Sequence, residues 1–156
     1  MSVYVAFYKG RAKSVRDVRK HILDMLIRVG THGDYSHCEM VLDVGNGLYS
    51  CMSSSPRDGG VRQKLMTLPS DRWDLIPVDV SVSDVLAFYA KHKGKRYDWG
   101  GITTFLLPFV NRYHGRNKFF CSEYCAVNLS LDNAHRFSPN SLARYLLAGD
   151  APAAIA

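Results

Sequence analysis

Two side chains far apart in the sequence have the types that a nucleophilic hydrolysis needs. Cys121 stands in Phe119-Phe120-Cys121-Ser122-Glu123-Tyr124-Cys125-Ala126, where an aromatic pair precedes a Cys-Ser-Glu that opens a helical stretch. At a helix N-terminus the free backbone N–H groups and the macrodipole lower a thiol pKa, and a neighbouring imidazolium lowers it further. The same N–H groups can hold an oxyanion. An ordinary free cysteine is more often a small buried apolar residue, and Cys125, one turn later, fits that description better. His37 lies in Ser36-His37-Cys38-Glu39-Met40-Val41-Leu42, where strand alternation puts Ser36, Cys38, Met40 and Leu42 on one mostly apolar face. His37, Glu39 and Tyr35 then share the opposite face. A histidine so placed, with a carboxylate two residues on, has the makings of a general base, although a lone strand histidine is more often an ordinary surface residue.

The elements that must position this pair can be read from periodicity and turn chemistry. Ser2 to Tyr8 is a β-branched and aromatic strand ended by Lys9-Gly10-Arg11. Ser14 caps a helix whose apolar residues recur at Val15, Val18, Ile22, Leu26 and Val29, with Gly30 as its stop. Tyr35–Val44, Gly45-Asn46-Gly47 and Leu48–Met52 form a hairpin with an Asn-Gly turn. Ser53 to Gly60 is a polar loop, followed by strands at Val61–Leu65 and Trp73–Val80. Ser83 caps a helix over Asp84–Lys93 that Gly94 ends, and Lys95 to Gly101 is a glycine loop whose Tyr97 and Trp99 are candidates to line a cleft. A helix starts at or beside Cys121 and runs to about Leu129, another starts at Ser138-Pro139, and Ala151 to Ala156 forms a frayed tail.

Taken together these elements predict an α+β domain over residues 1–150 with a 151–156 tail, a mostly antiparallel sheet packed against helices, and the nucleophile at a helix N-terminus. At 156 residues and 47% hydrophobic, 22% charged, the chain can close a core without staples and lies outside the regime of disorder. Its longest apolar run, Ile102 to Val110, is too short to cross a bilayer and reads first as a core helix. The N-terminus lacks the features of a signal peptide, so cytoplasmic synthesis and four reduced thiols, Cys38, Cys51, Cys121 and Cys125, are expected. A formal charge of +6 favours acidic partners without choosing among them.

The order Tyr35-Ser36-His37, Asp58-Gly59-Gly60-Val61-Arg62, Gly94 through Tyr97-Asp98 to Gly101, Phe120-Cys121-Ser122-Glu123 and Ser138-Pro139-Asn140 to Leu142 resembles the circularly permuted papain-like peptidases of the NlpC type, YiiX-like branch. In unpermuted relatives the nucleophile helix precedes the histidine strand; here the histidine strand comes first. The chain is also similar to small proteins of tailed bacteriophages that carry a Ser-His-Cys-Glu strand, which would place it in a virion or a host cytoplasm. The resemblance implies a permuted papain-like fold with Cys121 as nucleophile, His37 as base, and Tyr97 with the backbone near Cys121 and Ser122 around the substrate and oxyanion. Relatives carry the histidine-orienting acid on the next strand, where this chain has Ser50-Cys51-Met52-Ser53. Glu39 is the substitute, with Ser50 or Ser53 as alternatives, and Trp99, Tyr35 and Ser50 join Tyr97 and Ser122 as substrate-binding candidates.

The expected reaction is cleavage of a peptide-type amide, such as a cell-wall stem peptide, through an acyl-enzyme thioester. Two alternatives stand beside it: acyl transfer or hydrolysis on a lipid with the same pair, for which Ile102 to Val110 would be a hydrophobic lip, and a non-catalytic basic binding module. A zinc site from Cys38, Cys121, Cys125 and a histidine has no Cys-x-x-Cys pair and needs Cys38 and His37 on one face, so no metal and no cofactor is assigned.

Overall fold

The structure, a computed structural model, describes residues 1–11, 24–101 and 117–149. The chain is α+β. Its strands are β1 (Val3–Tyr8), β2 (His37–Gly45), β3 (Leu48–Ser55), β4 (Gly60–Met66), β5 (Trp73–Pro77), β6 (Arg96–Tyr97) and β7 (Lys118–Phe119). They form one sheet in the order β5-β1-β2-β3-β4-β6-β7, antiparallel except for the β6–β7 pair. The helices are α1 (24–30 in its described part), α2 (Val82–His92), α3 (Cys121–Asn128) and α4 (Pro139–Leu147), with a further helical turn at 99–101.

Alternation along β1 and β2 gives both faces of the sheet an apolar cover. Val3, Val5, Phe7, Cys38, Met40 and Leu42 pack with Cys121, Tyr124 and Cys125 of α3 and with Leu142 and Leu146 of α4. On the other face Ala6, Val41 and Cys51 meet Leu68 and Trp73, from the return into β5. Buried strands with two covered faces lose the polar-out half of the expected pattern. Glu39, read from sequence as facing away from the core, is therefore only 1% exposed.

Several boundaries differ from the sequence reading for local reasons. β3 continues through Ser55 rather than ending at Met52, because Ser54 donates to the Phe119 carbonyl (2.6 Å) and Ser53 to the Cys38 carbonyl (2.7 Å), so serines replace the missing apolar contacts. α2 begins at Val82, since it is Ser81 that accepts the Asp84 N–H, in place of Ser83. The Lys95–Gly101 stretch is only in part a loop. Gly60 lets β6 pair there: a Cβ at residue 60 would stand 1.9 Å from the Lys95 carbonyl oxygen. The Asn46-Gly47 turn is present, with a bulge between Asp43 and Gly45. The Ser138 cap of α4 is as expected, with Pro139 in the first turn and a reciprocal hydrogen bond to Ser141. The Ser14 cap, the Ile102–Val110 run and the 151–156 tail lie outside the described residues.

Candidate active site

Cys121 is the first residue of α3, and Glu123 in the first turn accepts the Phe120 N–H, half of a capping box. This fixes the helix start, and with it the sulfur, against the sheet. His37 is the first residue of β2, where the sheet ends and the imidazole can reach the helix start. The Cys121 sulfur and the His37 ring lie close enough to shift each other, the thiol down and the imidazole up.

A second contact to the sulfur comes from Cys38. Asp43 N–H bonds the Ser2 carbonyl across β1, so by alternation the Cys38 N–H points to the β3 side. The β2–β3 register ends at Met40↔Met52, one ladder step short, and the Cys38 N–H is left to favour the charged form of the Cys121 sulfur instead. The Cys38 thiol beside it contributes most to holding the Cys121 thiol well below its ordinary range. Burial opposes that shift and the His37 charge reinforces it. For His37, by contrast, burial is the largest single influence and lowers the pKa. The Cys121 thiolate and the Glu39 carboxylate together outweigh it and push His37 up to about 10. Both shifts favour the thiolate and imidazolium form of the pair.

Glu39 completes the line. Its Oε1 lies 3.2 Å from His37 Nε2, which leaves Nδ1 for Cys121. Arg62 grips the same carboxylate with both terminal nitrogens, at 2.6 and 2.8 Å, and its Nε donates to Asp58 at 2.9 Å. Against the cost of burial, Arg62 and His37 hold Glu39 down at about 2, so it stays a carboxylate throughout the working range. The i,i+2 contact, doubtful from strand rise alone, closes because His37 sits at the strand end. Ser53 is committed to the Cys38 carbonyl and Ser50 accepts from Gln63 Nε2 at 2.7 Å.

A cleft of about 240 Å³ opens on the face of the sheet away from α3. His37, Glu39, Arg62, Trp73 and Tyr97 are among its lining residues. Ser36 lines it too, a correction to the core-face expectation. Cys121 is 1% exposed, so the open side of the pair is the His37 side. Tyr97 is buried, packs with Ile27 and Phe120, and feels the Cys121 charge; Trp99 stacks edge-on against it at 5.1 Å and is half exposed. Cys121 and four of the substrate-binding candidates do not line the cleft: Trp99 stands beside Tyr97 outside the lining, and Tyr35, Ser122 and Ser50 turn elsewhere. Tyr35 precedes the strand, so strand alternation does not extend to it; its ring packs on Phe7 and its hydroxyl bonds Asp74 at 2.8 Å. The Ser122 hydroxyl turns to the Phe137 carbonyl, leaving only its backbone near the site, and Ser50 faces Gln63.

Sequence reading missed Arg62 as a partner of Glu39 and treated Cys38 as purely structural. Extending Met40↔Met52 by one step puts Ser53 opposite Glu39, and Ser53 pairs with Arg62. The two charged residues thus flank a small serine in one cross-strand row, which leaves room for the Arg62 side chain. The signal was the buried Glu39 itself, since a carboxylate in a covered sheet needs a cation. Asn140 was quoted only as part of a motif. Its side chain accepts from the Tyr35 N–H (2.9 Å) and donates to the Tyr35 carbonyl (2.8 Å) and the Thr31 hydroxyl (2.6 Å), pinning the approach to His37.

Among the described residues no group of three or more His, Cys, Asp or Glu is placed to hold a metal ion, and no helix is long and apolar enough to cross a membrane. No family model matches the chain, and no curated protein matches it.

Proposed function

We propose that the chain is a cysteine hydrolase with a Cys121–His37–Glu39 triad, built on a permuted papain-like arrangement in which the histidine strand precedes the nucleophile helix. The observation that carries this reading is the buried line Cys121, His37, Glu39, Arg62, which makes a thiolate of one end by keeping a carboxylate at the other. A structural ion pair needs neither a helix N-terminus under its sulfur nor a cleft beside its imidazole. Thiolate attack on an amide carbonyl forms a tetrahedral intermediate, whose oxyanion meets the first-turn N–H groups of Cys121 and Ser122. The His37 imidazolium gives its proton to the leaving amine, and then, as neutral imidazole, draws a proton from the water that releases the acyl group. Glu39 keeps the ring oriented through both halves.

The substrate class we assign is a peptide-type amide, entering past Tyr97 and Trp99. A panel of peptide amides, including muramyl stem peptides, together with matched acyl-lipid esters tests this. Turnover of an amide that disappears in Cys121→Ala and in His37→Ala supports the reading. Ester turnover alone would move the assignment to acyl lipids, and turnover unchanged in Cys121→Ala would refute the triad.

A further inference from the structure

Hydrolysis needs one thiol, yet three meet at this site. Cys38 and Cys125 belong to the same buried cluster as Cys121, on the face of β2 that packs against α3, and both sulfurs add to burial in pushing the Cys38 thiol up. All three are free thiols. Cys51 stands apart, on the other face of the sheet, donating to the Tyr49 carbonyl. Cys125 follows Cys121 by one turn of α3, where the two Cβ atoms sit one above the other along the helix. Cys38 faces Cys121 from another element, β2, whose strand and α3 pack directly together. A neutral thiol held against a thiolate is the arrangement in which an oxidised sulfur is captured before it can be oxidised again.

We propose that Cys121 is an oxidation site for hydrogen peroxide and that Cys38 is its resolving partner, closing a reversible Cys38–Cys121 disulfide. This rests on the reading of Cys121 as a thiolate nucleophile. In the first step the Cys121 sulfur attacks one peroxide oxygen and the O–O bond breaks. The departing hydroxide takes the His37 proton, leaving a sulfenic acid and one water. The Cys38 sulfur then attacks the Cys121 sulfur, the S–O bond breaks, and the Cys38 proton leaves with the hydroxide as a second water. Two thiols are oxidised and one peroxide is reduced to two waters. A small uncharged oxidant suits a sulfur with 1% exposure. The product blocks hydrolysis while protecting the nucleophile from the irreversible sulfinic state, and thiol reductants reopen it.

Reduced full-length protein treated with hydrogen peroxide and mapped by mass spectrometry tests the pairing. The expected wild-type product is a Cys38 peptide joined to a Cys121 peptide, lighter by two hydrogens and released by dithiothreitol. Cys38→Ser keeps a hydrogen-bond donor beside Cys121 but cannot form the bond. It should instead give dimedone-trapped sulfenic acid at Cys121 and then sulfinic acid. Linkage of Cys121 to Cys125 or Cys51, or sulfinic acid forming equally fast in wild type and Cys38→Ser, overturns the proposal. Iodoacetamide labelling of the untreated protein separates the two readings. An absent link with Cys121 readily alkylated at neutral pH overturns this inference alone, whereas an absent link with Cys121 unreactive overturns the hydrolase reading with it.

Discussion

At the scale of single residues, the decisive interaction is the grip of Arg62 on Glu39. The Glu39 side chain is 1% and the Arg62 side chain 16% exposed, so each is the other's main compensation for leaving water. Removing one partner leaves a buried charge, which costs roughly 3–5 kcal/mol. Glu39→Ala should lose about that much in chemical denaturation and should also let the His37 pKa fall from about 10, measurable by NMR of its ring protons. The pH sign follows from the depressed Glu39 value. Its contribution is complete above the ordinary glutamate pKa near 4.5 and is lost as pH falls towards about 2. In Arg62→Met, Glu39 loses its strongest lowering contact, so acid unfolding should begin at higher pH than in wild type. An acid midpoint unchanged by Arg62→Met would show that Arg62 does not hold the carboxylate.

At the scale of elements, the site depends on where β2 and α3 begin, and both starts are pinned by side chains. Asn140 mimics a strand partner for Tyr35, taking its N–H and feeding its carbonyl, and Gly33 makes room: a Cβ there would lie 2.2 Å from Asn140 Oδ1. Asn140→Ala leaves the Tyr35 backbone groups and the Thr31 hydroxyl without this partner. A loss of about 1–3 kcal/mol in denaturation is expected, more than the roughly 1 kcal/mol of a Ser138→Ala cap removal. Equal losses in the two variants would reduce Asn140 to ordinary helix capping. Glu123 behaves oppositely to Glu39. Burial pushes its pKa up to about 8 against the Phe120 N–H that donates to the carboxylate, with Asp98 adding to the rise. Its contribution is complete below about 4.5 and lost as pH rises through about 8, so wild-type stability should decline over that window. Glu123→Gln, which keeps a cap acceptor, should flatten the decline in pH-dependent thermal melts.

The elements also show what could be read in advance. The strand of His37, the helix start at Cys121 and the Ser138 cap were legible because each depends on local period or turn chemistry. Glu39 was legible as a neighbour of His37 but not as a buried group, since the cover over that face comes from Leu68 and Trp73, which arrive through the β5-β1-β2 order. Arg62 was hidden by register. Counting back from the Gly45↔Leu48 pair puts residue 54 opposite Glu39, whereas the bulge before Gly45 shifts the pairing by one and brings Ser53 and Arg62 into its row.

At the scale of the whole molecule, the sheet brings residues 37, 39, 62 and 121 together by joining β2, β4 and α3 across its two covered faces. The proposed ionised Cys121–His37 pair depends on this assembly, because a thiolate at the helix start needs an imidazolium delivered by a strand 84 positions earlier in the chain. The most direct measurement is the pH dependence of Cys121 alkylation by iodoacetamide in wild type and His37→Ala, following each cysteine by mass spectrometry. In wild type, Cys121 should react at a rate that stays flat well below the ordinary thiol pKa of about 8.5, ahead of Cys38, Cys51 and Cys125. In His37→Ala that low-pH reactivity should fall and its midpoint rise. Cys121 reacting like Cys125 in both proteins would contradict the triad.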